Sequence, residues 1–397
     1  MADFGASDLD AFRVEARQWL EANFPSALKG KGAAFMMGGQ SSPESIAWTK
    51  AMAEKGWGTP TWPKQYGGGG MGAAEARVLQ QEMNALGAWN PIGGMGVMMF
   101  GPTLLEYGTE EQKQRHIPPI TKAELRWCQG YSEPGAGSDL ASLATKCEDK
   151  GDHYLVNGSK IWTSGANLAD WCFCLVRTDT SKKHEGISFI LIDMKSPGVE
   201  ARPILLINGT SPFCETFFTD VKVPKENLVG QLNHGWTIAK RLLQFERQNI
   251  SASLGGGGAA QPPNVAEIAK TYIGLDETGR LADADLRSRI ITHRMEARAF
   301  GLTAQRSALE AKTSQGPSAA TSIMKYAGAK IAQERGELIL EAMGHQGLGW
   351  SGDGFAPEET ASVRTWLRAK ANSIEGGTSE INLNVVAKRV LGLLDHQ

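Results

Sequence analysis

The spacing of apolar residues divides the chain into three stretches. Over residues 1–125 they recur at helical intervals. Leu9, Phe12, Val14, Trp19 and Leu20 mark a first helix. SPESIAWTKAMAEKGW (42–57) opens on a Ser-Pro cap and closes at Gly56, and MGAAEARVLQQEMNALGAW (71–89) and TEEQKQRHIPPI (109–120) predict two more. GWGTPTWPKQYGGGG (56–70) is predicted to be an ordered turn, because a solvated linker would strand its rings in water. From 126 to 231 the period shortens. HYLVNGSKIWTSG, ADWCFCLVRTD, GISFILIDM, EARPILLI and ETFFTDVKVP are short apolar or alternating runs punctuated by Gly, Asp, Asn and Pro. They predict an antiparallel β domain ending near Val229, with NGSK (157–160) as a tight turn. From 232 to 397 helical spacing returns over 234–254, 283–313, 318–344 and 378–394. Four such helices predict a bundle, with GGGGAAQPPN (255–264) breaking or distorting the first of them. Helices, then strands, then helices make an α+β fold: an N-terminal helical domain, a central antiparallel β domain and a C-terminal four-helix bundle.

Charge narrows the function classes. The 397 residues carry 41 Lys+Arg against 43 Asp+Glu, a balance that gives no reason to expect nucleic acid or an anionic membrane surface as partner. No apolar run reaches transmembrane length, so no membrane insertion is expected. The N-terminus, with early acidic residues and helical spacing, does not read as a secretory signal, and a cytoplasmic enzyme is expected. Five scattered cysteines, Cys128, Cys147, Cys172, Cys174 and Cys214, argue against a disulfide framework. Cys172 and Cys174 fall on one face of a strand and read as buried thiols. The seven histidines are dispersed, and no metal site is expected.

Three segments carry candidate chemistry. CQGYSEPGAGSDLAS (128–142) surrounds Ser132 and Ser138 with glycine, which lets backbone approach a ligand. Its alternative is an acidic loop that binds nothing. In KIWTSGA (160–166), Trp162 is placed to wall a planar ligand whose edge Thr163 or Ser164 would bond. Its alternative is a Trp capping the sheet. QFERQNIS (244–251) sets Glu246 and Arg247 in an otherwise apolar helix. A carboxylate on the inner face of a bundle would be desolvated and made more basic; on the outer face it would be an ordinary solvated residue.

GWGTPTWPKQYGG, YSEPGAGSD, NGSKIWTSGA, FFTDVKVPKENLVG followed by GW, and EGGTSEIN…AKRVLGL occur in this order along nearly the whole chain. In this the sequence resembles the acyl-CoA dehydrogenases. The resemblance implies FAD between the β domain and the bundle, its ADP part reaching a neighbouring subunit. It implies an acyl-CoA substrate whose pro-R α-proton goes to a carboxylate while flavin N5 takes the β-hydride. The product would be a trans-2-enoyl-CoA, in fatty acid or steroid side-chain β-oxidation, with electron-transferring flavoprotein as oxidant. Residue by residue, it places Gln129, Ser132, Gly137, Ser138, Trp162, Thr163, Ser164, Gly344, Gly347, Thr378 and Glu380 around the cofactor. Ser138, Phe245, Arg247, Gly376 and Gly377 would stand beside the substrate. Two other readings share the fold: an acyl-CoA oxidase or flavin monooxygenase, and a non-catalytic subunit of a heteromer.

Two positions compete as base. One branch of the family carries its Glu immediately before Gly-Thr. Here Gly376 holds that place and Glu375 lies one residue earlier, a displacement of about 3.8 Å along the chain. Another branch carries the base on the first bundle helix in a context like QFER, which favours Glu246 and leaves Glu375 as runner-up. The chain also departs from the homotetrameric pattern. The Arg-x-x-Phe-Gly-Lys-Pro segment after the first bundle helix is missing, and Glu341 stands where a Gln commonly meets the flavin's ADP moiety. This is similar to large subunits of the heteromeric pimeloyl-CoA and steroid side-chain enzymes. The assembly expected is thus a homotetramer or an α2β2 heterotetramer with a second acyl-CoA dehydrogenase-like subunit. NPIGGMGVMMFG (90–101), rich in Gly and Met, is expected to floor a wide acyl cavity.

Overall fold

The structure, a computed structural model, describes residues 6–32, 42–254, 263–310 and 320–394. The chain separates into two compact units. The first comprises residues up to 204 together with 212–246, and the second comprises 205–211 and 247 onward.

The first unit opens with helices α1 (Ala6–Asn23), α2 (Pro43–Glu54), α3 (Ala73–Leu86), α4 (Gly101–Tyr107) and α5 (Glu110–Thr121). Sequence signals set their ends. Ser42 caps α2 in a reciprocal box with Ser45, Thr109 caps α5 with Gln112, and Gly87 closes α3 in a left-handed conformation. The segment 56–70 is ordered as expected: Trp57, Trp62 and Tyr66 are buried.

Eight strands follow: β1 (Trp127–Gly130), β2 (Lys146–Asp149), β3 (His153–Ser164), β4 (Trp171–Arg177), β5 (Ile187–Asp193), β6 (Val199–Ile204), β7 (Phe213–Pro224) and β8 (Leu228–Val229). Their order is β6-β7-β3-β2-β4-β5-β8, with β1 added parallel beside β4. The sheet is antiparallel except for β1–β4 and a single β2–β4 pair, Lys146 with Arg177. Alternation divides β4 and β5 between two cores. Phe173, Leu175, Phe189 and Leu191 pack with Phe100 and Ile117 of the helical layer. Cys172, Cys174, Val176, Ile190 and Ile192 pack with Val156, Phe218 and Val221 on the other side. All five cysteines are buried and unpaired. Burial pushes the Cys147 thiol up to about 12, and Cys172 and Cys174 also lie well above the ordinary thiol range.

NGSK is not the predicted turn. Residues 157–160 run through the middle of β3, where the register with β7 shifts between Val156 and Gly158. Asn157 and Asp220 bond each other across this bulge, and Gly158 sits at φ +149 with no room for a Cβ against Thr145. The tight turn lies one step earlier, at Lys150–His153, with Gly151 at φ +93.

Helix α6 (Gly235–Leu254) begins in the first unit and continues into the second. The second unit holds α7 (Val265–Ile273), α8 (Ala284–Glu310), α9 (Ala320–Met343), α10 (Pro357–Ala369) and α11 (Ser379–Val385). Helices α7 and α10 lie outside the four helical stretches that the apolar spacing predicts. Residues 255–262 lie outside the described residues, so the predicted break in α6 has no structural account beyond the helix end at Leu254. The helix expected over 378–394 is shorter: α11 stops at Val385 and passes into a π-turn over Val386–Val390. The core of this unit joins Val265 and Ala269 of α7 to Leu286 and Ile290 of α8 and Leu338, Ile339 and Ala342 of α9. Among the described residues no helix is long and apolar enough to cross a membrane, and no group of His, Cys, Asp or Glu is arranged to hold a metal.

Candidate active site

In the first unit the candidate residues gather on one loop and one strand end. The loop 131–142 follows β1, on which Gln129 is half-buried. Its anchor is Glu133. The Nζ of Lys160 on β3 donates to Glu133 Oε1 at 2.7 Å and to the Tyr131 carbonyl at 3.1 Å. The same carboxylate accepts from the backbone N–H of Thr145 (2.9 Å) and Ala144 (2.6 Å). Burial works to raise the Glu133 carboxyl, but Lys160 and these hydrogen bonds hold it below the usual carboxylate range. Glu133 and Ala136 also exchange backbone hydrogen bonds, and Ile161 N–H donates to the Ser132 carbonyl. Ser132 is left half-exposed and Ser138 exposed.

Gly135 and Gly137 have no positive φ, and a Cβ at either would meet nothing. Neither backbone conformation nor packing requires glycine at these two positions, and the backbone there is left open. Gly130 differs, since a Cβ would press on the sulfurs of Cys172 and Cys174.

The strand end is bulged. Between Lys160 and Thr163 the β3–β7 register shifts, and Trp162 takes φ +61. A bulky side chain in this region costs about 1–3 kcal/mol. Trp162 is 53% exposed, with its ring edge-on to Phe213. The strained backbone thus presents a flat apolar ring to solvent. Ser164 is half-exposed beside it. Thr163 is buried within the sheet, with no protein partner for its hydroxyl.

A cleft of about 720 Å³ lies in the same unit, between the 179–185 loop and the start of α6. His184 stacks on Trp236 with centroids 5.0 Å apart. Lys182, His234 and Lys240 bring positive or protonatable groups, and Asp179 and Glu185 oppose them. Further along α6, Arg241 lies over the Phe245 ring at 4.5 Å and donates to Glu106 at 2.8 Å. Glu246 and Arg247 follow on the same helix; their side chains lie outside the described residues.

In the second unit the loop after α10 is held against α9. Lys325 donates to the Asn372 carbonyl, and Gln333 Nε2 donates to the carbonyls of Ala369 and Lys370. Gly376 (φ +63) and Gly377 (φ +92) both require the left-handed region. Thr378 caps α11, its hydroxyl accepting from Ile381 N–H, and Glu380 lies in the first turn of that helix. Glu375 is engaged by Arg368. Gly344 has φ +55, and Gly347 packs so closely that a Cβ would meet the Leu340 carbonyl at 2.5 Å. Glu341 accepts from both Nη groups of Arg289, at 2.6 Å each.

Three side chains that hold these loops, Lys160, Lys325 and Gln333, are not among the residues the candidate motifs single out. Lys160 was legible: alternation puts it on the inward face of β3 with Tyr154 and Val156. Lys325 and Gln333 left no distinct trace, being two of several polar and charged positions along α9.

Comparison with known proteins covers nearly the whole chain. Family models described as acyl-CoA dehydrogenase N-terminal, middle and C-terminal domains match residues 7–124, 128–221 and 233–391. The acyl-CoA dehydrogenase IpdE1 of Mycobacterium tuberculosis is 36% identical over 394 residues, covering 97% of this chain and 98% of that protein. Among solved structures, the Tcur3481-Tcur3483 steroid ACAD aligns at TM-score 0.74 with 27% identity, covering 100% of both chains. The ChsE4-ChsE5 complex of Mycobacterium tuberculosis aligns at TM-score 0.71 with 28% identity, again over 100% of both.

Proposed function

Because this chain belongs to the acyl-CoA dehydrogenase family, we propose that it uses FAD to desaturate an acyl-CoA thioester between Cα and Cβ, with Glu246 as base. The observation that carries the cofactor assignment is Trp162, an exposed indole held at φ +61 beside the half-exposed Ser164. When bound, FAD supplies the acceptor for the β-hydride. Trp162 walls its ring, Ser164 bonds its edge, and Ser132 and the open backbone at Gly135 and Gly137 face its polar groups. Gln129 and Ser138 stand on the same surface. In the second unit, Gly344, Gly347, Thr378 and Glu380 are assigned to the cofactor's far end.

An α-proton of a thioester is too weakly acidic for a carboxylate in water, so the site must exclude water and polarise the carbonyl. The left-handed backbone at Gly376 and Gly377 turns N–H groups without side-chain obstruction, which suits contact with that oxygen. Glu246 takes the proton, with Phe245 and Arg247 beside it on α6. The cleft of His184, Trp236 and Lys240 suits the nucleotide end of CoA, which offers a purine to stack and phosphates to pair.

A steroid ACAD with two named components is among the similar structures, which supports a bulky, steroid-type acyl group, and it and the ChsE4-ChsE5 complex together support a second acyl-CoA dehydrogenase-like subunit. Met95, Val97 and Met99 around the π-turn Gly96–Phe100 give the adaptable apolar wall such a group needs. The electron acceptor is assigned as electron-transferring flavoprotein. The test is anaerobic mixing of flavin-loaded protein with acyl-CoAs of graded length and with steroid thioesters. Bleaching of the flavin band and an enoyl-CoA product are expected; a flavin-loaded protein left oxidised by every thioester would refute the reading.

A further inference from the structure

We propose that Lys160 and Glu133 are positioning residues for the flavin-facing surface of the first unit. Their buried ion pair fixes the loop carrying Ser132 and Ser138 against the strand end carrying Trp162 and Ser164. The proposal rests on the reading that this surface holds flavin.

Neither side chain reaches solvent enough to touch a ligand: Lys160 is 0% and Glu133 9% exposed. Their effect passes through backbone. One carboxylate ties the entry of the loop, at residue 133, to its exit, where Ala144 and Thr145 donate to it. Lys160 ties both ends to β3 and also holds the Tyr131 carbonyl. The next residue, Ile161, donates to the Ser132 carbonyl, and the one after it is the bulged Trp162. Loop and strand end are thus set against each other by one cluster of five hydrogen bonds.

Stability alone does not call for charge here. Apolar side chains of similar volume commonly fill such a site as well as, or better than, a buried ion pair, whose desolvation offsets its attraction. What an apolar pair cannot do is accept from Ala144 and Thr145 while holding the Tyr131 carbonyl. The pair contributes geometry, at the point where a planar ligand needs a hydroxyl-bearing loop and an indole at fixed spacing.

The variant to make is Lys160→Met with Glu133→Leu, since removing one partner alone leaves a buried charge unpaired and risks unfolding. Three measurements are read on it: thermal midpoint, amide hydrogen exchange at Ala144 and Thr145 in the flavin-free protein, and FAD binding with the visible circular dichroism of the bound flavin. The midpoint is expected to fall by several degrees with the protein still folded, since the Ala144 and Thr145 N–H groups and the Tyr131 carbonyl lose their partners. Exchange at the two amides should quicken, and the FAD Kd should rise, each by roughly tenfold, with an altered flavin dichroism. Wild-type Kd and dichroism in the folded double variant would overturn the proposal. Should that variant fail to fold, Lys160→Met with Glu133→Gln leaves no buried charge and keeps one loop acceptor, and an unchanged FAD Kd there overturns it equally. Failure of the wild-type protein to bind FAD would instead remove the functional reading, while the exchange data would still report whether the pair clamps the loop.

Discussion

Arg368 donates to both carboxylate oxygens of Glu375, at 3.2 and 2.7 Å, on the surface of the second unit. A general base must lie within about 3 Å of the proton it takes, and here Glu375 is turned to Arg368 at the surface. Glu246→Gln is therefore expected to lower kcat by roughly 10²–10⁴, the span of general-base contributions. Glu375→Gln should leave kcat within a few-fold. Dye-reduction assays on both flavin-loaded variants decide it, and the reverse pattern would move the base to Glu375.

Trp162 separates stability from binding. Glycine adopts φ +61 without strain, which offsets the lost contact with Phe213 and glycine's own entropic cost, so Trp162→Gly should leave the thermal midpoint of the flavin-free protein close to wild type. The same change removes the wall proposed for the flavin, and FAD affinity should fall roughly tenfold. Calorimetry and flavin fluorescence titration measure the two effects. A destabilised variant with normal FAD binding would make the indole a structural cap.

The carboxylate of Glu341 is matched by Arg289 across α8 and α9. A carboxylate has no amide N–H to donate to a cofactor, and this one is neutralised by the arginine. The chain purified alone is expected to carry less than one FAD per protomer, and co-expression with an acyl-CoA dehydrogenase-like partner should restore full occupancy. Flavin absorbance against protein mass reads this directly, and full occupancy in the lone chain would remove the need for a partner.

His116 gives a pH dependence. It is buried against Phe100, Trp127 and Trp171, its Nδ1 has no partner, and burial lowers it from 6.5 to about 4. Between these values the unfolded chain takes a proton that the folded chain refuses. Stability therefore falls as pH drops from 6.5 to 4, by on the order of 3 kcal/mol in all, and this group contributes no slope above that window. His116→Phe keeps a ring in place and should flatten the acid limb of a urea-midpoint profile across that range. An unchanged limb would place the acid sensitivity elsewhere.

Periodicity made the helix–strand–helix order legible, because most elements bury one face and write that face into the sequence. It failed where local chemistry resembled another element. Asn157-Gly158 reads as a turn dipeptide, yet the chain spends it on a bulge that Asn157 closes against Asp220. Helix α10 was marked by Pro357 at its first position, by Glu358 and Glu359 in its first turn, and by the Glu359 carboxylate accepting from Ala356 N–H. Those signals were masked by the Gly-rich segment before it. Within the site, the glycine loop and Trp162 stood out as residue types. The clamp at Glu133 did not, since a buried ion pair is defined by partners 27 positions apart.

The five sheet thiols turn the molecule into its own unfolding clock. No disulfide reagent can reach them while the sheet is closed, so the rate at which a chromogenic reagent consumes them reports how often the sheet opens. For the same reason, a single cysteine introduced on the exposed face of the 131–142 loop would be the one position to take a fluorophore under native conditions, with no need to remove the native five.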